Sequence, residues 1–160
     1  MITAGPAKAL LLSIRPCYTD LILAGSKTIE LRKRQPRVPA GTLVVMYASQ
    51  PTCALVGAFV LRGVVNRPPT NLWSEHGSQT GVSKETFERY YADHECACGL
   101  LVGEVMPLEH EVSLATLRRC WRGFHPPQSY RYLDLARTKD SLGLRLPTKT
   151  AYLSLPTSSG

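Results

Sequence analysis

The segment from Gly25 to Arg34 constrains the fold more than any other part of the chain. It reads Gly-Ser-Lys-Thr-Ile-Glu-Leu-Arg-Lys-Arg. The residues before it, Pro16 to Ala24, predict a helix with proline at its first position, and Gly25 can adopt the left-handed conformation that ends a helix. After Gly25 the apolar and charged residues alternate with a period of two, which predicts an extended strand. The chain therefore passes from helix to strand within a few residues.

The alternation divides this strand into two faces. Ile29 and Leu31 form the apolar face, whereas the opposite face, which Lys27 joins from the preceding turn, consists of Thr28, Glu30, Arg32 and Arg34. A lysine, a carboxylate and a guanidinium so closely spaced can recognise a polar ligand or shift one another's pKa values. The alternative is a solvent-exposed edge strand whose charges discourage aggregation.

Composition indicates one globular domain with an excess of positive charge. The chain has 160 residues, of which 44% are hydrophobic and 19% charged, as in ordinary soluble domains. The net charge is +7 and the pI is near 9.4, and most of the basic residues are arginine. Arginine favours bidentate contacts with phosphate and stacking on bases. A phosphate-rich partner is one interpretation, and a basic surface without a specific partner is the other.

The cysteines and the hydropathy pattern point to a reduced, intracellular location. The five cysteines are scattered, and the N-terminus has no signal-peptide pattern, so we expect a cytoplasmic protein. No run of about 18 apolar residues predicts a membrane span. The sequence His94 to Cys98 clusters soft ligands, but the spacing is atypical of zinc sites and no second pair follows. We therefore predict neither a metal nor a cofactor.

The remaining elements are short strands and helices. Gly57 and Gly63 predict bulges in a sheet that curls, as in a small barrel. Ser83 and Ser113 are predicted helix caps, and residues 66–82 are interpreted as an irregular connection with a turn at Asn71–Trp73. A tyrosine pair, Tyr90 and Tyr91, is assigned with Phe87 to the inward face of the first of these helices. The predicted strands are Ala9–Ile14, Leu43–Ser49, Cys53–Val65 and Ala97–Leu108.

The stretch from Arg122 to Leu133 interleaves arginines with aromatic, amide and hydroxyl side chains. These residue types stack on bases and bond to their edges, so the stretch is a candidate RNA-contacting loop. The alternative is a rigid loop that closes the end of a barrel with its aromatic side chains buried. Residues 134–140 predict a short helix, and the polar residues from Ser141 onward predict a C-terminal tail.

The motif at Gly25, Lys27, Glu30 and Arg32 resembles the ASCH domain family, whose hallmark is Gly-x-Lys-x-x-Glu-x-Arg after a short helix. The resemblance extends from the preceding Leu12-Ser13-Ile14-Arg15-Pro16 through Tyr47-Ala48-Ser49 to the stretch from Pro126 to Leu133. It implies an α+β, PUA-like fold, with a small mixed or antiparallel β-barrel and short helices at its rim. The expected divisions are an N-terminal extension (1–8), the ASCH domain (9–135) and a tail (136–160).

The resemblance also implies a ligand cleft. The residues expected to bind RNA or a nucleotide-like ligand there are Arg15, Tyr18, Gly25, Lys27, Glu30, Arg32, Arg34, Tyr47, Ser49, Gln128, Ser129, Tyr130 and Arg131. Family members are associated with RNA, as binding modules, transcription coactivator domains and RNA-directed enzymes. We expect a monomeric RNA-binding protein of RNA metabolism or transcription regulation.

Catalytic alternatives remain open. Relatives that hydrolyse N4-acetylcytidine use a lysine, a threonine and a glutamate. Lys27 matches their lysine, whereas Glu30 stands at their threonine and Thr80 near their glutamate. An amidohydrolase of acylated nucleosides would thus use Lys27, Glu30 and Thr80. A ribonuclease, with Lys27 and Arg32 supplying charge, and a protein-interaction module are the further alternatives.

Overall fold

A computed structural model describes residues 7–142, which form a six-stranded sheet and five short α-helices. The α+β class predicted from the sequence is confirmed. In chain order the elements are β1 (Lys8–Ile14), α1 (Pro16–Leu23), β2 (Ile29–Arg32), β3 (Leu43–Ala48), β4 (Ala54–Arg67), α2 (Pro69–His76), α3 (Lys84–Tyr90), β5 (Ala97–Ser113), α4 (Leu114–Cys120), β6 (Tyr130–Asp134) and α5 (Leu135–Leu142). The N-terminal extension up to residue 6 and the tail from residue 143 lie outside the described residues.

The sheet is mixed and open. Its strand order is β2-β5-β4-β3-β1-β6, with β1 and β3 parallel and the other neighbours antiparallel. The mixed pairing is as predicted, but among residues 7–142 β2 and β6 occupy the two ends of this order and do not pair with each other, so the sheet is not a closed barrel. The strand β2 has four residues, and the side chain of Arg32, rather than backbone pairing, connects it to β1 and to Ser129, the residue before β6.

The core explains why the strands form where they do. Leu10, Leu12 and Ile14 pack in one apolar cluster, while Ala9 and Leu11, on the alternate face of β1, pack in a second. Both faces of the central strands are therefore buried, which matches their nearly continuous apolar sequence. A third cluster joins β2 to α2 and α3, so these helices cover one side of the charged strand.

The elements predicted from local signals are largely confirmed. The Ser83 and Ser113 hydroxyls each accept a hydrogen bond from the backbone N–H three residues later. The register of β4 shifts beside Gly57 and Gly63, as expected of bulges. The predicted irregular connection is wrong over α2, which begins at Pro69. No helix within residues 7–142 has the length and apolar character needed to cross a membrane.

Candidate functional site

A cavity lies at the opening between the two ends of the sheet, and its volume is about 640 Å³. The parallel strands β1 and β3 end side by side, with Ile14 opposite Ala48, so Arg15 and Ser49 come together at one edge of the cavity. The helix α3 and the loop before β6 form other walls. The lining residues are Ser13, Ile14, Arg15, Tyr18, Lys27, Glu30, Leu31, Arg32, Tyr47, Ser49, Val82, Thr86, Phe87, Arg89, Tyr90, Pro126, Pro127 and Gln128.

The turn after α1 directs Lys27 inward. Gly25 adopts a φ of 81°, the left-handed conformation that glycine tolerates best. The backbone N–H groups of Gly25, Ser26 and Lys27 then donate to carbonyls of the last turn of α1, at Ile22 and Leu21. This hydrogen-bonded helix end fixes the direction of the chain, and the Lys27 side chain is only 2% exposed.

Lys27, Glu30 and Arg32 form one buried ionic cluster. The Lys27 Nζ atom lies 3.4 Å from Glu30 Oε2, and Arg32 Nη2 lies 2.9 Å from Glu30 Oε1. Glu30 is 5% exposed and Arg32 6%. Burial to this degree excludes the solvent-exposed edge strand as an account of these two side chains. A single carboxylate therefore serves two cations in a region largely removed from water.

Burial lowers the pKa of Lys27, because the ammonium loses its hydration, and the carboxylate of Glu30 opposes that effect. The ammonium also donates a hydrogen bond to the Thr80 carbonyl. The ring of Tyr18 lies with its centroid 5.1 Å from Lys27 Nζ, within cation–π range. Lys27 is thus held by a carboxylate, a carbonyl and an aromatic ring.

Arg32 joins the two ends of the sheet. Its Nη1 donates to the Ser129 carbonyl at 3.1 Å, and its Nη2 donates to the Ser13 carbonyl at 3.0 Å. The planar guanidinium suits this task because it presents several donors in a fixed geometry. Within the described residues, Arg32 Nε is buried without a hydrogen-bond partner, and Glu30 Oε2 has only the ion pair with Lys27 Nζ at 3.4 Å.

Most of the predicted ligand-binding residues meet in this cavity, but some do not. Besides the cluster, the lining includes Arg15, Tyr18, Tyr47, Ser49 and Gln128. Three of the remainder line a neighbouring groove, namely Arg34, Ser129 and Tyr130. Gly25 forms the turn and does not line the cavity, whereas Arg131 lies over the Phe124 ring at 5.9 Å.

Thr80 contacts the ionic cluster through its backbone carbonyl. Its side chain is fully buried, and its hydroxyl donates to the Gly77 carbonyl at 2.7 Å. The Thr80 carbonyl, rather than the hydroxyl, is the group that contacts Lys27. Thr80 is not a lining residue, and the hydroxyl is committed to its own turn.

Burial also affects Tyr47. The loss of solvent, together with the nearby Cys53 thiol, raises the pKa of Tyr47 to about 12. Its ring packs against Phe124 in the second apolar cluster, with Leu117 of α4. Among residues 7–142, no group of three or more His, Cys, Asp or Glu side chains is arranged to hold a metal ion.

Sequence reasoning missed the contribution of α3. Arg89 and Tyr90 line the cavity, and Tyr90 is 36% exposed with Lys33 Nζ 4.6 Å from its ring centroid. The assignment of Tyr90 to the inward face is wrong, whereas Tyr91 and Phe87 are buried. Helical geometry could have revealed this, because consecutive residues point about 100° apart and residues i and i+4 share a face.

Three comparisons with known proteins agree. The sequence model of the ASCH domain family matches residues 12–124 of this chain. An ASCH domain-containing ribonuclease from Zymomonas mobilis is 27% identical over 137 residues, which is 86% of this chain and 92% of that protein. The crystal structure of ASCH from Zymomonas mobilis superposes with a TM-score of 0.80 at 26% identity, over 85% of this chain and 94% of that one. A serine-to-alanine variant of that protein gives the same TM-score.

Proposed function

Because the chain belongs to the ASCH domain family, we propose that it binds RNA, with one nucleotide held in the cavity around Lys27, Glu30 and Arg32. The observation that carries this proposal is the charge of the cavity lining. Four cations, Arg15, Lys27, Arg32 and Arg89, face a single carboxylate, Glu30. A concave site of this sign attracts phosphate.

The division of the lining into a buried floor and an exposed rim supports the proposal. Glu30 and Arg32 offer an acceptor and donors at the floor, as hydrogen bonding to the edge of a base requires. Arg15 and Arg89 are exposed at the rim, where they can contact backbone phosphates. Tyr18 and Tyr90 come from two different helices and supply aromatic surface for stacking. The volume of about 640 Å³ lies within the range of small-ligand sites.

The binding test uses the exposed rim, because substitutions there leave the buried cluster intact. We expect Arg15→Ala/Arg89→Ala to weaken binding of a fluorescent single-stranded RNA, and to reduce the slope of log affinity against log salt by about 1.4, or about 0.7 for each lost phosphate contact. Arg119→Ala is the matched control, since Arg119 is exposed on α4 and outside the cavity lining. A double variant that binds like the control would contradict the proposal, as would a wild-type protein without affinity for RNA at low salt.

Cleavage of the bound RNA is the second candidate function, and the name of the Zymomonas mobilis relative favours it. In metal-free RNA cleavage, a base removes the proton of a 2′-hydroxyl, whose oxygen attacks the adjacent phosphorus and displaces the 5′-oxygen of the next nucleotide. A lysine with a lowered pKa has a larger neutral fraction and can act as the base, while Arg32 can stabilise the developing charge. The products would carry a 2′,3′-cyclic phosphate and a 5′-hydroxyl.

Two substrates of identical sequence distinguish binding from cleavage. We expect an unmodified single-stranded RNA to be cut, and its fully 2′-O-methylated counterpart to be bound but not cut, because it lacks the attacking hydroxyl. Cleavage of both would contradict this mechanism. Binding of both without cleavage would remove the second candidate and leave RNA binding in place.

The cavity favours amidohydrolysis of acylated nucleosides less. That reaction would need Thr80 at the cavity surface beside Lys27 and Glu30, and the Thr80 hydroxyl is instead bonded to Gly77. Release of acetate from N4-acetylcytidine by the wild-type protein would reverse this order of preference. A protein-interaction role would require negligible affinity for RNA even at low salt.

A further inference from the structure

A groove lies next to the cavity, beyond the end of β2. Its volume is about 620 Å³, and its lining residues are Arg34, Gln35, Arg37, Ser129, Tyr130 and Tyr132. The contact between the Arg32 guanidinium and the Ser129 carbonyl, at 3.1 Å, forms the wall between the two concavities. Arg32 lines the cavity, and Arg34, two residues later, lines the groove.

The aromatic side of the groove consists of two tyrosines held by hydrogen bonds, of which Tyr132 is exposed. The Tyr130 hydroxyl donates to the Gln35 carbonyl at 3.1 Å, and the Tyr132 hydroxyl accepts from the Arg37 backbone N–H at 2.8 Å. These bonds fix the two rings, whose centroids lie 5.9 Å apart at an angle of 71°. Tyr132 is nevertheless 40% exposed. Tyr130 is partly buried and packs against the core, so Tyr132 is the ring whose exposed surface can stack on a base.

The basic side of the groove consists of two exposed arginines, Arg34 and Arg37. Neither forms an ion pair with another residue of the described range 7–142. Arg67, by contrast, is paired with Glu75. A third cation, Lys8, lies with its Nζ 5.5 Å from the Tyr132 ring centroid. Unpaired arginines beside exposed tyrosines match a ligand that alternates phosphates with flat bases.

We propose that this groove holds the nucleotides next to the one in the cavity, so that the protein binds a single-stranded RNA segment rather than an isolated nucleotide. The inference rests on the proposed RNA-binding function. Arg34 and Arg37 contact phosphates, and the ring of Tyr132 stacks on a base. The ligand is single-stranded because the bases of a duplex are already stacked on each other and cannot stack on a side chain from outside.

Ligands of different length test the groove independently of the cavity, because a mononucleotide fills the cavity alone and a longer RNA can also reach the groove. We expect a hexanucleotide to bind at least tenfold more tightly than a mononucleotide of the same base. We expect Tyr132→Ala to reduce hexanucleotide affinity about tenfold, which is within the range for loss of one stacked base, while mononucleotide affinity stays unchanged. Tyr132→Phe keeps the ring and should bind like wild type, because only the hydroxyl contact to Arg37 is lost. Fluorescence anisotropy and competition measure these affinities.

Substitution of the two groove arginines provides a second, independent test of the groove through the salt dependence of binding. For Arg34→Ala/Arg37→Ala we expect the salt dependence of hexanucleotide binding to fall by about 1.4 in log–log slope, with Arg119→Ala again as the control. If the hexanucleotide and the mononucleotide bind equally well, or if Tyr132→Ala and Tyr132→Phe behave alike, the groove does not lie on the RNA path and the cavity proposal survives. If neither ligand binds, the proposed function itself has failed.

Discussion

Among the single residues of the cavity, one buried carboxylate is paired with two buried cations. Glu30 is the only carboxylate in contact with Lys27 and Arg32 within the described residues, and all three side chains are nearly inaccessible to solvent. Removing one member of a buried ionic group is costly when it leaves a charge without a partner. The three positions should therefore differ in how well they tolerate a neutral substitute.

We expect Glu30→Gln to destabilise the protein more than Lys27→Met. Glu30→Gln leaves two buried cations without a counter-ion, for which about 3–5 kcal/mol is typical. Lys27→Met leaves the Glu30–Arg32 pair intact and mainly removes the donor to the Thr80 carbonyl, so we expect a loss of about 1–3 kcal/mol. Urea unfolding measures both free energies, with Lys84→Met as the control because Lys84 is exposed. Equal losses for the two buried sites would contradict this account.

The sequence predicted which of these residues would meet but not how deeply they would lie. Alternation places Glu30 and Arg32 on one face, and the turn at Gly25 brings Lys27 beside them. The alternation of apolar and polar residues distinguishes the two faces of a strand. It cannot reveal that α3 and the loop before β6 would cover the polar face of β2. That cover comes from residues more than fifty positions away, such as Tyr90 and Pro127, which no local pattern connects to Glu30.

Among the secondary-structure elements, the helices that follow a clear capping residue are the ones that could be predicted from the sequence. The helices α3 and α4 each follow a serine that caps them. The helix α2 is not evident from the sequence because the Pro68–Pro69 pair is typical of loops, although proline is also favoured at the first helical position. Of its eight residues only Leu72 is buried, so α2 lacks the apolar stripe that would have revealed it.

The two serine caps allow a matched comparison of elements. We expect Ser83→Ala and Ser113→Ala each to cost about 1 kcal/mol of unfolding free energy, because each loses the acceptor for one backbone N–H. Hydrogen exchange should speed up in α3 for the first variant and in α4 for the second. Since α3 carries Arg89 and Tyr90, only Ser83→Ala should also weaken RNA binding. An Asp at residue 83 should restore both properties, and its failure would show that more than capping is lost.

At the scale of the whole molecule, the site occupies the place where the sheet fails to close. The bulges in β4 curl the sheet, yet its end strands β2 and β6 do not pair among residues 7–142. The polar groups left at this opening are bonded through the side chain of Arg32, which contacts both the Ser13 and the Ser129 carbonyls. Pairing of β2 with β6 would fill this opening, so the incomplete closure of the sheet and the cavity have the same origin.

If Arg32 connects the two ends of the sheet, the conservative substitution Arg32→Lys should lower the stability of the whole domain. Lysine keeps the positive charge beside Glu30, but one ammonium cannot reproduce the fork that reaches Glu30, Ser13 and Ser129 together. We expect the free energy of unfolding to fall by about 2–3 kcal/mol, because the partly buried Ser13 and Ser129 carbonyls lose charged donors. The Ser13 N–H, which donates to the Ser129 carbonyl at 3.1 Å, should exchange faster, as should the amides of β6.

Arg34→Lys is the control for this substitution. Arg34 lies two residues beyond Arg32 and is exposed, so the same exchange of side chains should change the unfolding free energy by less than about 0.5 kcal/mol. If Arg32→Lys matches that control in stability and in hydrogen exchange, the guanidinium does not hold the two ends of the sheet together. If its effects are confined to residues 29–32 and do not reach β6, the bridge stabilises β2 alone, and the opening must be maintained by the packing of α3 and the Pro126–Pro127 loop.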